Sequence, residues 1–434
     1  MIRLIKLINA LAIFGWLNTQ GQRPSPGAKP IDKTIFKGLT LHTGTGKKIV
    51  NGLLVIDSGR IIYAGTEDSA PAFQGYTVKE IPNAHAYPGF ILLNNILGLI
   101  ETDALKPTHD YSETGDFNPS VRSCVAFNTD SKIIPTVRSN GALICQSTPR
   151  GGLVAGTSAV MRLDAWNWED AVIKCHDGIH IYWPAKGFQS RGENEKKDAI
   201  KTRNQQINRL ENFMKESLAY YRSGSPHQEV NLHHQAMVPI FENKSNLYIH
   251  ASGTVDIADA ISFFKQFGPL PLVICGMPDT GLVLDMIKDN NIPIILDRIH
   301  ELPRRDDLGY DYVYRLPYIL QQQGIRFALS YRGDMEAMGA RNLPFLGGTA
   351  VTFGLDYEEA VKAITLEAAK ILKIDKEYGT LEAGKSATFI ISSGDAFDMR
   401  RNEVIHAFID GRPLNLDNHQ KELYRQYLEK FGLH

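Results

Sequence analysis

Apolar positions along this chain change period twice, and the changes mark its organisation. Residues 31 to 86 carry short apolar runs separated by turn residues. Phe36-Lys-Gly-Leu-Thr-Leu-His42 and Gly52-Leu-Leu-Val-Ile56 read as strands. Asp57-Ser-Gly-Arg60 reads as a hairpin turn, and Ile61-Ile-Tyr-Ala-Gly65 as the returning strand. The same character reappears near the other end. Gly379-Thr-Leu-Glu-Ala-Gly-Lys-Ser-Ala-Thr-Phe-Ile-Ile391 is turn then strand, and Val404-Ile-His-Ala-Phe-Ile-Asp-Gly411 is strand then turn. Two β pieces at opposite ends can pair into one sheet around a central domain.

Between them, apolar runs of strand length alternate with amphipathic helical stretches. The clearest strands are Ala142 to Gln146, Leu247 to Ala251, Leu272 to Cys275, Ile292 to Leu296 and Arg326 to Ser330. The helices are Lys196 to Tyr221, Asp256 to Phe267, Thr280 to Asn290, Asp311 to Gln323 and Tyr357 to Leu372. Repeated strand-then-helix units predict parallel strands joined by right-handed crossovers, hence an α/β fold.

The first residues follow a different pattern. Arg3 and Lys6 precede the apolar run Leu7 to Leu17, and polar Asn18 to Gln22 follows, which reads as a secretory signal peptide over residues 1–22. The alternatives are an uncleaved anchor and a buried first helix. The run is short of the ~20 apolar residues that span a bilayer, so no stable membrane span is expected. Residues 23–34, rich in Pro and Gly, read as a linker. The chain is therefore expected to be exported, to a periplasm or beyond the cell.

Composition narrows the function classes. The 434 residues are 43% hydrophobic and 22% charged, with formal net charge −1. That suits a large domain plus a smaller one, and argues against a nucleic-acid surface. Cys124, Cys145, Cys175 and Cys275 have mostly apolar flanks and form no Cys-x-x-Cys pair, so buried free thiols are expected.

Four stretches carry a family resemblance. Tyr87-Pro-Gly-Phe-Ile-Leu-Leu-Asn-Asn-Ile-Leu-Gly98 looks like a first barrel strand; Val137 to Ile144 looks like a second-strand entry. Pro149-Arg-Gly-Gly-Leu-Val-Ala-Gly-Thr-Ser-Ala-Val160 is similar to a Gly-rich loop. Ala360 to Leu372, then Gly379-Thr-Leu-Glu-Ala-Gly-Lys-Ser-Ala-Thr388, looks like a last helix with its Gly-Ser-Leu-Glu-x-Gly-Lys-x-Ala-Asp signature. Together they resemble the imidazolonepropionase-like branch of the amidohydrolase superfamily. The resemblance implies a (β/α)8 TIM-like barrel over 87–375 and a small β-sandwich from both chain ends, 35–86 and 376–415; residues 416–434 are expected to form a C-terminal helix.

It also implies a divalent metal at the strand ends, lowering the pKa of a bound water and polarising a carbonyl. The ligands would be His-x-His on strand 1, often a carboxylated Lys on strand 4, His on strands 5 and 6, and Asp on strand 8. This chain departs from that set. Asn94 and Ile96 replace His-x-His, and isoleucine cannot ligate. Strand 6 ends Ile274-Cys-Gly-Met277. Ser330 or Tyr331 replaces the strand-8 Asp, with Asp334 slightly downstream as the candidate catalytic carboxylate. His250 and His180 are the remaining candidate metal ligands. A loop holding Glu101, Asp103, His109, Asp110 and Glu113 either rescues the metal site or is simply solvated.

Other residues invite chemistry. Arg150, Gly151 and Gly152 follow a strand and could hold a carboxylate or phosphate, or form a tight turn. Arg150, Gly151 and Asn94 are the candidate substrate-binding residues. Trp166 and Trp168 could stack on a ring or anchor the barrel edge. Ser158 lacks a nucleophile-elbow setting. Arg332-Gly-Asp334 and Arg304-Arg-Asp-Asp307 read as charged turns.

Two expectations follow. One is a hydrolase of non-peptide or cyclic C–N bonds in a small substrate, with a zinc-like divalent metal in a degenerate site. The other is a non-catalytic relative, binding a small-molecule ligand or acting as a subunit beside an intact homologue, in a homo- or hetero-oligomer.

Overall fold

Sixteen strands form in the computed structural model, which describes residues 26, 27, 29–186, 193–224, 229–279 and 281–433. The expected signal peptide and the first part of the linker lie outside these residues. Five strands come first: β1 Thr34–His42, β2 Lys48–Asp57, β3 Arg60–Thr66, β4 Thr77–Glu80 and β5 His85–Pro88. Eight follow: β6 Phe90–Asn95, β7 Ala142–Ser147, β8 Val154–Arg162, β9 Val172–Tyr182, β10 Asn246–His250, β11 Leu272–Cys275, β12 Ile294–Leu296 and β13 Phe327–Leu329. Three close the set: β14 Phe389–Ser392, β15 Val404–Ile409 and β16 Arg412–Pro413.

The first five and last three strands share one sheet, ordered β16-β15-β14-β5-β1-β2-β3, with β4 beside β1. Its apolar face packs Phe36, Phe389 and Phe408, whose ring centroids lie 4.7–5.6 Å apart. Edge-to-face and offset ring packing of this kind adds to the burial of large side chains.

The middle eight strands form a nearly closed TIM-like barrel in sequence order. Every residue of β6 and β7 is buried, as expected of strands covered on both faces. Its first and last strands, β6 and β13, are bridged by the Ser330 hydroxyl donating to the Leu93 carbonyl at 2.5 Å. Ile91, Leu93, Ile144, Tyr248, Val273 and Ile295 fill the barrel interior. Ser158, Gln146 and Tyr248 all donate to the buried Asp177 carboxylate, at 3.0, 2.7 and 2.8 Å. That places Ser158 in a structural network.

One strand departs from the parallel expectation. β8 runs antiparallel to both neighbours, and it occupies much of the stretch expected to be a Gly-rich loop. Only Thr148 to Leu153 separate β7 from β8. A parallel crossover needs a dozen or more residues, so so short a link returns the chain antiparallel.

The helical stretch expected over Tyr357–Leu372 divides into Tyr357–Ala363 and Leu366–Ile371. Thr365 lies at the break, and its hydroxyl donates to the Val361 carbonyl at 2.7 Å. Short polar side chains compete for helix carbonyls in this way.

The cysteine expectation is corrected. Cys124 and Cys175 form a disulfide, while Cys145 and Cys275 are free and buried. The short helix Ser123–Ala126 packs against β8 and β9, which brings together two cysteines 51 residues apart in sequence. Flanking composition does not encode that approach.

Candidate functional site

The chain leaves β6 through two asparagines, and the local backbone explains why. Asn94 has φ +46°, a left-handed conformation that asparagine tolerates better than most residues. Its backbone amide donates to Gln146 Oε1 at 2.8 Å, and Asn95 Nδ2 donates to the Tyr331 carbonyl at 2.7 Å. Asn94 and Asn95 therefore fasten the end of β6 to β7 and to the turn after β13.

Arg150 follows β7, and its backbone amide donates to the Tyr111 carbonyl at 2.6 Å. Its guanidinium folds back over the end of β6. Nη1 donates to Asn94 Oδ1 at 3.0 Å; Nη2 donates to the Asn94 carbonyl at 2.8 Å and to Glu336 Oε1 at 2.5 Å. The same Glu336 oxygen accepts the Ile96 amide at 3.0 Å. The Arg150 and Glu336 side chains are only 11% and 9% exposed, so the pair is shielded from solvent. Burial opposes the Arg150 charge, but Glu336 and neighbouring Tyr182 hold its pKa above the ordinary arginine value.

His180 on β9 and His250 at the end of β10 lie beneath this pair. Their facing nitrogens, His180 Nδ1 and His250 Nε2, share a 2.9 Å hydrogen bond. His180 stacks on Tyr248 and His250 on Tyr182, at centroid distances of 4.5 and 4.2 Å. Burial pushes both pKa values well below the usual histidine range. Arg150 and Arg332 push them further, and His180 adds to the effect on His250. Both rings are neutral at pH 7, so one donates to the other. Their outer nitrogens, His180 Nε2 and His250 Nδ1, have no partner among the described residues. The buried Tyr182 hydroxyl lies beside the Arg150 guanidinium.

Above them opens a cavity of about 310 Å3 lined by Ile96, Arg150, Asp297, Arg304, Arg332 and Glu336, among others. Arg332 Nη1 lies 3.3 Å from Asp297 Oδ2, and its guanidinium sits over the Tyr182 ring at 5.8 Å. Asn94 Nδ2 donates to the other Asp297 oxygen at 3.4 Å. Exposed Arg304 lines the rim with no ion pair among the described residues.

A divalent metal does not fit this donor set. The facing imidazole nitrogens are spent on each other, leaving only the two outer nitrogens as free imidazole donors, and both rings lie in the field of two guanidinium cations. Among the described residues no three His, Cys, Asp or Glu side chains converge as a metal site. A first ligand shell needs several converging donors, and a fixed cation beside it opposes a second cation.

The candidate residues divide accordingly. Arg150, Asn94, His180 and His250 come together at the mouth. Gly151 is exposed, with φ +88°, and serves the turn after Arg150. Asp334 is exposed, and among the described residues only its backbone carbonyl takes part, accepting from Arg298 at 3.4 Å. In the acidic loop, Glu101 accepts the Lys132 amide at 2.8 Å and His109 bonds loop carbonyls. Trp166 is 60% exposed, whereas Trp168 packs against the main core.

Sequence reasoning passed over Asp297, Glu336 and Tyr182. Asp297 had a readable signal, a carboxylate directly after the apolar run Ile292 to Leu296. Glu336 had none, because its position depends on the fold of the turn after β13.

The profile of the amidohydrolase family matches residues 170–414, more than half of the chain. Imidazolonepropionase of Pseudomonas paraeruginosa (strain DSM 24068 / PA7) is 32% identical over 115 residues, 26% of this chain and 27% of that protein. The chain thus spans about a quarter of the length of that relative in the matched stretch. An amidohydrolase from Thermotoga maritima MSB8 superposes with TM-score 0.75 at 21% identity, covering 88% of this chain and all of that one. A structure of molinate hydrolase superposes with TM-score 0.53 at 12% identity, covering 90% and 96% of the two chains. At these identities the solved structures share the fold. With the family profile spanning the second half of the barrel and the closing strands, the chain belongs to the amidohydrolase family.

Proposed function

We propose that this chain is an exported, metal-independent member of the amidohydrolase family whose barrel mouth binds a small polar ligand. It would act as a ligand-binding protein or as a subunit beside an intact homologue. The observation that carries this reading is the Arg150 guanidinium, held by Asn94 and Glu336 against the end of β6, where the resemblance expects the first two metal ligands. A permanent cation held there opposes a divalent ion and favours an anionic or strongly dipolar ligand group. Export is supported by the charged and apolar pattern of residues 1–22 and by the Cys124–Cys175 disulfide, a bond at home in oxidising compartments. Among the described residues no helix is long and apolar enough to cross a membrane.

A second reading keeps hydrolysis of a C–N bond in a small substrate. It is supported by the family and by the neutral His180–His250 pair, which could take a proton from water without a metal.

The discriminating measurement is metal content by elemental mass spectrometry after incubation with zinc, manganese and iron. Substoichiometric metal under every condition is the expected result. Near-stoichiometric metal that disappears in His250→Ala would overturn the metal-independent reading. Metal-free turnover of an amide or cyclic imide panel, lost in His250→Ala, would instead favour the second.

A further inference from the structure

A second cavity lies at the opposite end of the barrel and carries a different charge pattern. It measures about 570 Å3, within the range of roughly 300–1,000 Å3 typical of small-molecule sites. Its walls come from the N-terminal ends of β10 and β11 and from the residues just before β12 and β13. Lys265, Arg326, Lys370 and Lys373 line it, and no carboxylate does. The mouth differs, since there three arginines face Asp297, Glu301 and Glu336.

The four cations are unevenly satisfied. Lys370 Nζ lies 2.7 Å from Glu367 Oε1, and Lys373 Nζ donates to the Asn243 carbonyl at 2.8 Å. Exposed Lys265 and Arg326 have no side-chain partner among the described residues. Burial and the nearby Lys174 ammonium hold Lys373 below the usual lysine range. In a chain of net charge −1, four cations around one cleft, of which Glu367 offsets Lys370, leave a local positive field. Such clefts concentrate anions. The base of a barrel of this type is ordinarily a stability surface, and here Lys265 and Arg326 have no ion pair among the described residues. The exposed Asn291 supplies an amide donor at the same rim, and Pro269, Pro271 and Pro293 stiffen the walls.

We infer that this basal cleft is a binding site for a small multiply charged anion, of the phosphate-ester or diphosphate class, with Lys265 and Arg326 as its principal contacts. Arg326 offers the planar fork that suits a phosphate, and Lys265 a mobile point charge. The site stands apart from the mouth, so it does not depend on the proposed function.

The test is calorimetric titration of the full chain with inorganic pyrophosphate at low and high salt, alongside sedimentation with vesicles containing phosphatidic acid, whose headgroup is a phosphomonoester. Pyrophosphate binding that weakens on the order of tenfold in Lys265→Gln/Arg326→Gln and fades with salt supports a soluble phosphorylated ligand. Vesicle capture lost in the same variant supports a lipid headgroup as the source. Both positions are exposed, so thermal melts of the variant should match the parent and show that folding is intact. Absence of both kinds of binding at low salt, or binding that the double substitution leaves unchanged, overturns the inference.

Discussion

Protonating His180 or His250 would place another positive charge beside Arg150 and Arg332 in a buried site, and that sets a pH dependence. Their folded pKa values are depressed, chiefly by burial. In the unfolded chain both titrate near the ordinary histidine value of about 6.5. Below that pH the unfolded state binds protons that the folded state refuses, so stability falls as pH falls and is retained above it. Each such histidine contributes a slope approaching roughly 1.4 kcal/mol per pH unit. Burial depresses other histidines too, such as His176 and His300, so the informative quantity is a difference. Unfolding free energies of His250→Gln from denaturant titrations between pH 7 and pH 5 should fall less steeply than the parent's, by up to about 1 kcal/mol per unit on average over that range. Equal slopes would mean that His250 already takes a proton in the folded protein. The candidates His180 and His250 were visible in the sequence because they fall where the family resemblance expects ligands, and Arg150 because it follows a strand. Glu336 was not, because Arg150 and Glu336 are 186 residues apart and meet only across the closed barrel.

At the scale of elements, chain length between strands decided what composition did not. β10 and β11 announce themselves as apolar runs bounded by turn residues, and they form as expected. β8 contains Gly156, Thr157 and Ser158, which read as loop, yet all of it but Arg162 is buried between β7 and β9. Its antiparallel course follows from the short link before it. The disulfide belongs to this scale, tying the helix after the first long loop to β9. In the chain-entropy picture, closing a loop of 51 residues restricts the unfolded chain by about 4 kcal/mol. Equilibrium urea unfolding with dithiothreitol should therefore lower the parent's midpoint by a corresponding margin. A Cys124→Ala/Cys175→Ala variant should start lower and ignore the reductant. A parent midpoint indifferent to reductant would show that the two sulfurs are not bonded in the protein as purified.

For the molecule as a whole, the end-strand sheet and the barrel are built as neighbours in one chain. β14 pairs with β5, and β5 passes through Gly89 directly into β6, the strand that ends at Asn94 and Asn95. Phe389 on β14 is fully buried between Phe36 and Phe408. Phe389→Ala should cost about 3–5 kcal/mol, as deletion of a large core side chain typically does. Loosening of β5 should carry to β6, so the sheet and barrel should unfold in one transition by far- and near-ultraviolet circular dichroism. Two separated transitions, with only the smaller one shifted, would show that the sheet is energetically independent. The sequence by itself determined the alternation that makes an α/β fold, the β character of both ends and the lack of His-x-His at the stretch that resembles a first barrel strand. Those properties reside in local period and residue identity. Tertiary structure alone decided that Arg150 turns back onto Asn94 and Glu336, that two histidines bond each other and that four cations gather beneath the barrel. Each of these depends on side chains brought together by closure of the fold, over separations at which no local pattern carries the information.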